Sequence, residues 1–357
     1  MRVRLVYTDY LVDLIARAEA ASVRLAGARP DALATALTQA RRESALLSAR
    51  LDGSPLSDRT AEAVDARMLP GPLGLSLAPA ESDRGSWART LRLEGLPTQD
   101  VAAVEYANLL ACFDAEDAVA ADFFDHPREA LRALHGLLCS RLVAPDAIAR
   151  PRGTAQAVHD GAEGRMIYRA PAPEAVPALL DDLVGWLGRQ TALMPTLVVA
   201  GVVHERLLEW QPFEAANGRL ARAVSRVVLR ARGLDPHGLS VPERRFSADP
   251  IGYYGEVAAT ARRGDMGLWL ERYSEAVLDG LESAAAIVDP RPSPRAPARA
   301  IATVQDLAAG TTVTTPEYAE RAGTSLDTAR TDLRALARAG LIDADPCTRG
   351  LRYRVRG

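Results

Sequence analysis

The stretch that most constrains the fold is residues 211–222, which separate two helical patterns. Residues 196–210 are rich in apolar side chains and predict a buried helix, and Pro212 ends that helix because proline lacks a backbone N–H. After the loop, apolar residues recur at steps of three and four and predict a second helix with one face in a core. Asn217 and Gly218 are turn residues that open this second helix. The chain is therefore predicted to fold around a helix–loop–helix.

The loop also predicts an anion site. The start of a helix presents unpaired backbone N–H groups and the positive end of the helix dipole, and both attract anions. Arg219 and Arg222 stand in the first turns of the second helix and add guanidinium donors that suit phosphate oxygens. Phosphate is therefore the predicted ligand of this loop.

The same stretch resembles the signature loop of the Fic family, protein AMP-transferases that move AMP from ATP onto a hydroxyl group of a target. Two positions depart from the family pattern. Gln211 stands where the family has its catalytic His, and Ala215 stands where it has the acidic ligand of Mg2+. The positions that match are those of loop shape and phosphate binding: Phe213, Ala216, Asn217, Gly218, Arg219 and Arg222.

Both departures fall on chemistry that AMP transfer needs. The target hydroxyl must lose a proton to a base that titrates near neutral pH, which an imidazole does and the amide of Gln211 does not. Mg2+ prefers oxygen ligands, and Ala215 supplies none. Glu214 is a doubtful substitute, because neighbouring positions on a turn point in different directions. The resemblance thus implies that ATP or a related nucleotide binds, while Mg2+ is doubtful.

Three hypotheses for function follow. The favoured one is a pseudoenzyme or regulator that binds ATP or another phosphate ligand and transfers little or no AMP. The first alternative is an active nucleotidyl- or phospho-group transferase with altered chemistry, which uses Glu214 or a base supplied by its substrate. The second alternative is a DNA-binding regulator that acts through the C-terminal domain. Two histidines are weighed as substitute bases: His204 is predicted to be structural on its apolar helix, and nothing in the sequence brings His159 to the loop.

Residues 9–66 predict two or three helices, and within them lies a second resemblance. Ser48, Asp52 and Gly53 are similar to the inhibitory helix motif of Fic proteins, in which a Ser or Thr is followed after three residues by Glu and then by Gly or Asn. In the family that Glu pairs with the second loop arginine, here Arg222, and prevents ATP from seating productively. The same residues are also typical of an ordinary helix exit. Only the loop downstream favours the inhibitory interpretation.

Between the inhibitory motif and the loop, the predicted secondary structure changes from an extended connection to helices and then to a hairpin. Residues 68–97 are rich in Pro, Gly and Ser and predict an extended connection. Residues 97–142 return to helical stripes, and His135 beside one of them is predicted to be a packed histidine. Residues 150–172 predict two short strands around a glycine turn, a hairpin that resembles the flap of Fic proteins, which aligns the target segment by strand pairing.

The C-terminal part resembles a winged helix-turn-helix. In its third predicted helix Leu326, with three further apolar residues (Ala329, Leu333 and Leu336), is expected to face the core. Arg330, Arg334 and Arg338 form an i,i+4 row beside them and are candidate DNA contacts. From residue 291 onward 11 Arg stand against 7 acidic residues, a modest excess that favours an anionic partner. Two acids on the same helix, Asp327 and Asp332, weaken the prediction of DNA binding.

The predicted fold class is mainly α: a Fic-type helical bundle with a small β-hairpin flap, followed by a winged helix-turn-helix. The expected domains are an N-terminal helical region with the inhibitory motif (1–100), the Fic core with flap and loop (101–287), a Pro- and Arg-rich linker (288–300) and the winged helix (301–357). Within 357 residues there is room for two or three domains.

The composition bears on the expected partners and the cellular location of the protein. A net charge of −3 gives no general attraction to nucleic acid or membrane, and no apolar stretch is long enough for a membrane span. Three scattered cysteines without metal spacing are typical of a reduced cytoplasm. The expected partners are a nucleotide and an unknown protein target. DNA and a homodimer are left open, and no membrane partner is expected.

Overall fold

The computed structural model describes residues 4–26, 30–67, 98–159, 164–288, 297–305, 307–308, 310–338, 341–347 and 350–355. Its contacts divide the chain into two units, Met1–Asp289 and Pro290–Gly357. The extended connection predicted for residues 68–97 lies outside the described residues, as does most of the linker predicted for 288–300.

The first unit is helical, and the prediction of a mainly α fold is confirmed. Three helices occupy the region in which two or three were predicted. Among the described helices, none combines the length and the apolar character that a membrane crossing requires. The helices are α1 (Asp9–Ala26), α2 (Pro30–Leu51), α3 (Asp58–Arg67), α4 (Thr98–Ala121), α5 (Pro127–Leu138), α6 (Val176–Gln190), α7 (Thr196–Trp210), α8 (Asn217–Ala231), α9 (Glu243–Ala248), α10 (Pro250–Arg263) and α11 (Gly267–Val288).

Helices α7 and α8 form the centre of this unit and pack against each other. Helix α8 also contacts α2, α4 and α5, while α7 contacts α11. Side chains of α8 from Asn217 to Arg230 are all buried, although sequence periodicity predicted only one buried face. The loop between the two helices is therefore fixed by a rigid core on both sides.

The polar face of α8 is buried because acids from other helices neutralise it. Arg226 donates from Nε to Glu116 on α4 at 2.8 Å and from Nη1 to Ser44 on α2 at 3.0 Å, and it also pairs with Glu243 on α9. Arg230, one turn further on, pairs with Glu116 as well. The sequence did not predict α9, whose six residues are too short for a periodic pattern.

A hairpin stands between α5 and α6, as predicted. Its strands are β1 (Ala157–His159) and β2 (Met166–Arg169), which pair antiparallel with Val158 opposite Tyr168. The hydroxyl of Tyr168 donates to the carbonyl oxygen of Leu208 at 2.7 Å. This buried bond ties the hairpin to the last turn of α7.

The second unit has its own apolar core. It contains α12 (Ala298–Gln305), β3 (Thr312–Thr314), α13 (Thr315–Ala322), α14 (Leu326–Arg338), β4 (Ile342–Cys347) and β5 (Gly350–Val355), with the strands in the order β3-β5-β4. Ala329, Leu333 and Leu336 face the core as predicted. The prediction for Leu326 is wrong: it is the first residue of α14 and is 48% exposed. The three-residue strand β3 was not predicted, and the winged-helix assignment stays a prediction.

Candidate functional site

The loop between α7 and α8 contains two strained residues. Gln211 follows the last residue of α7 with φ 44° and ψ 60°, and Ala216 precedes the first residue of α8 with φ 60° and ψ 18°. A left-handed conformation of this kind costs about 1–2 kcal/mol in a residue other than glycine. Such strain persists only where the surrounding contacts impose it.

Two amide side chains impose the shape of the loop. Asn217 accepts the backbone N–H of Phe213 at 2.9 Å and donates to the carbonyl oxygen of the same residue at 2.7 Å. Gln156, at the base of the hairpin, donates to that carbonyl oxygen at 3.0 Å. Phe213 is buried beneath the loop, and the predicted turn residue Asn217 closes it.

His135 on α5 supports the loop from below. Its Nδ1 accepts the backbone N–H of Ala149 at 3.0 Å, so the ring proton lies on Nε2, which is 3.3 Å from the carbonyl oxygen of Ala215. The ring also packs on Phe213, with ring centroids 4.5 Å apart. Burial lowers the pKa of His135 to about 4, although the bond to Ala215 opposes this. The sequence predicted a packed histidine but not this contact with the loop, 80 residues away.

Replacing His135 with glutamine should change how stability depends on pH. Between about pH 6.5 and 4 the unfolded chain binds a proton at His135 that the folded protein excludes, so the free energy of unfolding falls as the pH falls through this window. One such proton contributes at most about 1.4 kcal/mol per pH unit. Urea unfolding at a series of pH values should show a shallower loss in His135→Gln than in the wild type. His159→Gln, on the exposed end of β1, is the matched control, and equal slopes in all three proteins would contradict the prediction.

Arg222 is held by the end of α2. It is 1% exposed and donates from Nη2 to Asp52 Oδ1 at 2.7 Å. Its Nε donates to the hydroxyl of Ser48 at 2.7 Å, and its Nη2 also donates to the carbonyl oxygen of Ser48 at 2.9 Å. The structure thus brings the predicted inhibitory motif together with the second loop arginine.

The Asp52 carboxylate lies at the N-terminus of α8. Its Oδ2 accepts the backbone N–H of Arg219 at 3.2 Å, and its Oδ1 accepts the hydroxyl of Tyr254 at 3.3 Å. A Cβ atom at Gly218 would collide with this carboxylate, so the approach requires glycine. Gly53, with φ 79°, lies directly after Asp52 in the turn that follows α2. A carboxylate therefore occupies the position at which the helix start attracts an anion.

Several guanidinium donors at this point have no hydrogen-bond partner within the described chain. They are Nε and Nη1 of Arg219 and Nη1 of Arg222, all buried. Arg219 has only longer ion-pair contacts, from Nε to Asp52 at 3.4 Å and from Nη1 to Glu105 at 3.5 Å. The two arginines can thus donate to more acceptor oxygens than Asp52 supplies.

Two loop residues weighed for chemistry have other partners: Gln211, at the position of the family His, and Glu214, the doubtful substitute for the metal ligand. Gln211 donates from its side-chain amide to the carbonyl oxygen of Leu208 at 2.8 Å. Glu214 accepts the backbone N–H of Gly153 at 2.9 Å with one oxygen and the hydroxyl of Thr154 at 2.7 Å with the other. Its carboxylate therefore faces the base of the hairpin.

Position 215 offers no ligand to Mg2+. Ala215 has no side-chain oxygen, and both carboxylate oxygens of Glu214 already accept hydrogen bonds. In the part of the chain that the structure describes, no cluster of three His, Cys, Asp or Glu side chains could hold a metal ion.

Of the two histidines weighed as substitute bases, His204 is part of the core. His204 on α7 is fully buried between the hydroxyl of Ser225 at 3.1 Å and that of Tyr253 at 2.6 Å. Burial lowers its pKa well below the usual value. His159 lies at the exposed end of β1.

The predicted arginine row on α14 belongs to the second unit. Arg330 and Arg334 are exposed, and Arg330 donates to Asp327 at 2.7 Å. Asp332 does not share their face: it is buried and accepts from Arg299 at 2.8 Å. Arg338 ends the helix, and its side chain lies outside the described part.

Part of the chain matches a known protein family. Residues 124–229, which include the hairpin and the loop, match the model of the Fic/DOC family. A Fic family protein from Desulfovibrio desulfuricans is similar at 20% identity and a TM-score of 0.61, with 100% of this chain and 99% of that chain covered.

Two further solved structures are similar. A Fic domain containing signaling protein from Bacteroides thetaiotaomicron has 16% identity and a TM-score of 0.54, over 79% of this chain and 98% of that chain. A fragment of Fic-1 from C. elegans has 15% identity and a TM-score of 0.53, over 77% and 71% of the two chains. Identities this low show a shared fold only. No curated protein matches the chain significantly.

Proposed function

We propose that this protein, which carries a Fic domain at residues 124–229, binds ATP or another phosphate-bearing ligand at the N-terminus of α8 and transfers little or no AMP. The observation that carries the proposal is the Asp52 carboxylate on the backbone N–H of Arg219. An anionic oxygen already accepts from the helix start there, and a phosphate oxygen has the same charge and acceptor chemistry.

The surplus donors support a ligand with several oxygens. Arg219 and Arg222 are both buried and together carry three guanidinium donors without a hydrogen-bond partner in the described chain. A phosphate group presents more acceptor oxygens than a carboxylate and can satisfy them. Phe213, Asn217 and Gly218 would serve the same site through loop shape and close backbone approach.

Loss of transfer follows from what stands at positions 211 and 215. Gln211 cannot take a proton from a hydroxyl nucleophile near neutral pH, and base catalysis is typically worth about 10²–10⁴ in rate. Ala215 brings no oxygen to a metal, and Glu214 is directed at Gly153 and Thr154. The ligand is therefore expected to bind without Mg2+.

The same geometry supports an inhibitory role for Asp52. Its carboxylate and an incoming phosphate would compete for the Arg219 N–H and for Arg222. Ser48 holds Arg222 in the orientation that meets Asp52, and Gly53 allows α2 to end at this point. A ligand would then have to displace Asp52, which makes occupancy dependent on the end of α2.

Calorimetry with ATP, with Mg2+ and with EDTA, tests the proposal. We expect equal affinity within about twofold in the two buffers, and a loss of at least about tenfold in Arg219→Gln. Arg128→Gln is the matched control, because Arg128 is exposed and pairs with Asp181 away from the loop. A folded sample that binds no nucleotide, or that binds only with Mg2+, would overturn the proposal.

Incubation with labelled nucleotides and a cell lysate addresses the alternative of an active transferase with altered chemistry. The proposal expects no labelled product above background. Labelled protein that disappears in Arg219→Gln would favour the transferase.

A further inference from the structure

Arg152 is a buried arginine with an unusual set of partners. It is 2% exposed, and the four hydrogen bonds that its guanidinium donates within the described chain all end on backbone carbonyl oxygens. These bonds run from Nε to Gln211 at 2.6 Å, from Nη1 to Thr154 at 2.6 Å, and from Nη2 to Pro171 at 2.6 Å and Trp210 at 3.2 Å. One side chain thus joins carbonyls from separate parts of the fold.

The carbonyls belong to three segments that meet beside the loop. Trp210 is the last residue of α7 and Gln211 follows it. The last carbonyls of a helix lack partners within the helix and carry the negative end of its dipole. Thr154 precedes β1, and Pro171 follows β2. Arg152 therefore ties both ends of the hairpin to the end of α7.

The loop also binds residues 152–154 through hydrogen bonds of its own. The backbone N–H of Arg152 donates to the carbonyl oxygen of Pro212 at 3.0 Å, and Glu214 accepts from Gly153 and Thr154. Residues 152–154 are thus bound to the loop through both backbone and side chains. This use explains the direction of the Glu214 carboxylate.

Arg152 also fixes the backbone at position 211. The backbone N–H of Gln211 donates to Leu207 at 3.2 Å, and its carbonyl oxygen accepts from Arg152 at 2.6 Å. A residue with φ 44° needs such fixed contacts on both sides to remain left-handed. The direction of whatever side chain stands at position 211 therefore depends on Arg152.

We infer that Arg152 is a positioning residue: it locks the base of the hairpin onto the loop and holds residue 211 in its left-handed conformation. The inference does not depend on which ligand binds at α8. It rests on planar geometry, since a guanidinium presents five donors in a rigid fork and can span several carbonyls. A simple positive charge at the end of α7 would stabilise the helix without joining the segments.

Hydrogen exchange of the Arg152→Lys variant distinguishes a positioning role from a purely electrostatic one. Lysine keeps the positive charge but lacks the planar guanidinium that spans several carbonyls. We expect amide exchange at the hairpin, above all at Ala170, whose N–H donates to Gln156 at 3.0 Å, to rise at least about tenfold, with exchange in the interior of α8 unchanged. Arg150→Lys, exposed and two residues away, is the control and should leave the hairpin as in the wild type.

Two results would overturn the inference. One is wild-type protection of the hairpin in Arg152→Lys. The other is an equal rise in exchange at the hairpin and in α8, which would indicate general destabilisation. If Arg152→Lys does not fold, Glu214→Ala takes its place, since it releases Gly153 and Thr154 from the other side. Unchanged exchange at the hairpin in that folded variant would also contradict the inferred role of Arg152.

Discussion

Replacing Asp52 with alanine should tighten ATP binding by about 10–100-fold. The carboxylate accepts the Arg219 N–H and pairs with Arg222, the two donors that a phosphate would use. Without it, the ligand no longer has to displace an intramolecular anion. Displacing Asp52 costs free energy in the wild type, and the variant binds ATP more tightly because this cost is absent.

The ligand-free variant should also be less stable. Arg222 is 1% exposed, and removing one partner of a buried ion pair costs about 3–5 kcal/mol. Because the Asp52 side chain is 19% exposed, the lower end of this range, about 3 kcal/mol, is expected. Saturating ATP should restore much of that loss by occupying the vacated position.

Calorimetry and thermal unfolding, with and without ATP, measure both effects. Asp58→Ala is the matched control, because Asp58 pairs with Arg50 near the same end of α2 but is 76% exposed. It should change neither affinity nor the response to ATP. Unchanged ATP affinity in a folded Asp52→Ala protein would show that Asp52 does not compete with the ligand.

The sequence predicted the parts of the site that local rules govern. Pro212 ended α7, and Asn217 with Gly218 opened α8, because each acts within a few residues of its own position. The contact between Asp52 and Arg222 came from a resemblance and from no local pattern, since 170 residues separate the two.

Long-range polar contacts were beyond the reach of the sequence. Nothing around His135 or Arg152 indicates that the partner lies in the loop, because hydrogen bonds across the core depend on how helices dock. The buried arginine face of α8 is another case. Periodicity predicts which side chains are apolar, and it cannot predict that Glu116 and Glu243 will cover Arg226.

Placing the His and the acid of the family loop at positions 211 and 215 should produce AMP transfer. In an Asp52→Ala background, Gln211→His with Ala215→Asp should raise labelled AMP transfer by about 10²–10⁴ over Asp52→Ala alone. Histidine tolerates the left-handed conformation that position 211 requires, and an aspartate at 215 supplies an oxygen ligand for Mg2+. The expected product is AMP on hydroxyl groups of lysate proteins or of the protein itself.

The variant Gln211→Asn with Ala215→Asn, in the same Asp52→Ala background, is the matched control. It alters both positions but adds neither a base nor a carboxylate, so it should stay at the level of Asp52→Ala. Adding Arg219→Gln to the restored protein should abolish the gain, because the phosphate then loses a guanidinium donor. A restored protein that binds Mg2+ and ATP tightly yet labels nothing would mean that more than these two side chains has been lost.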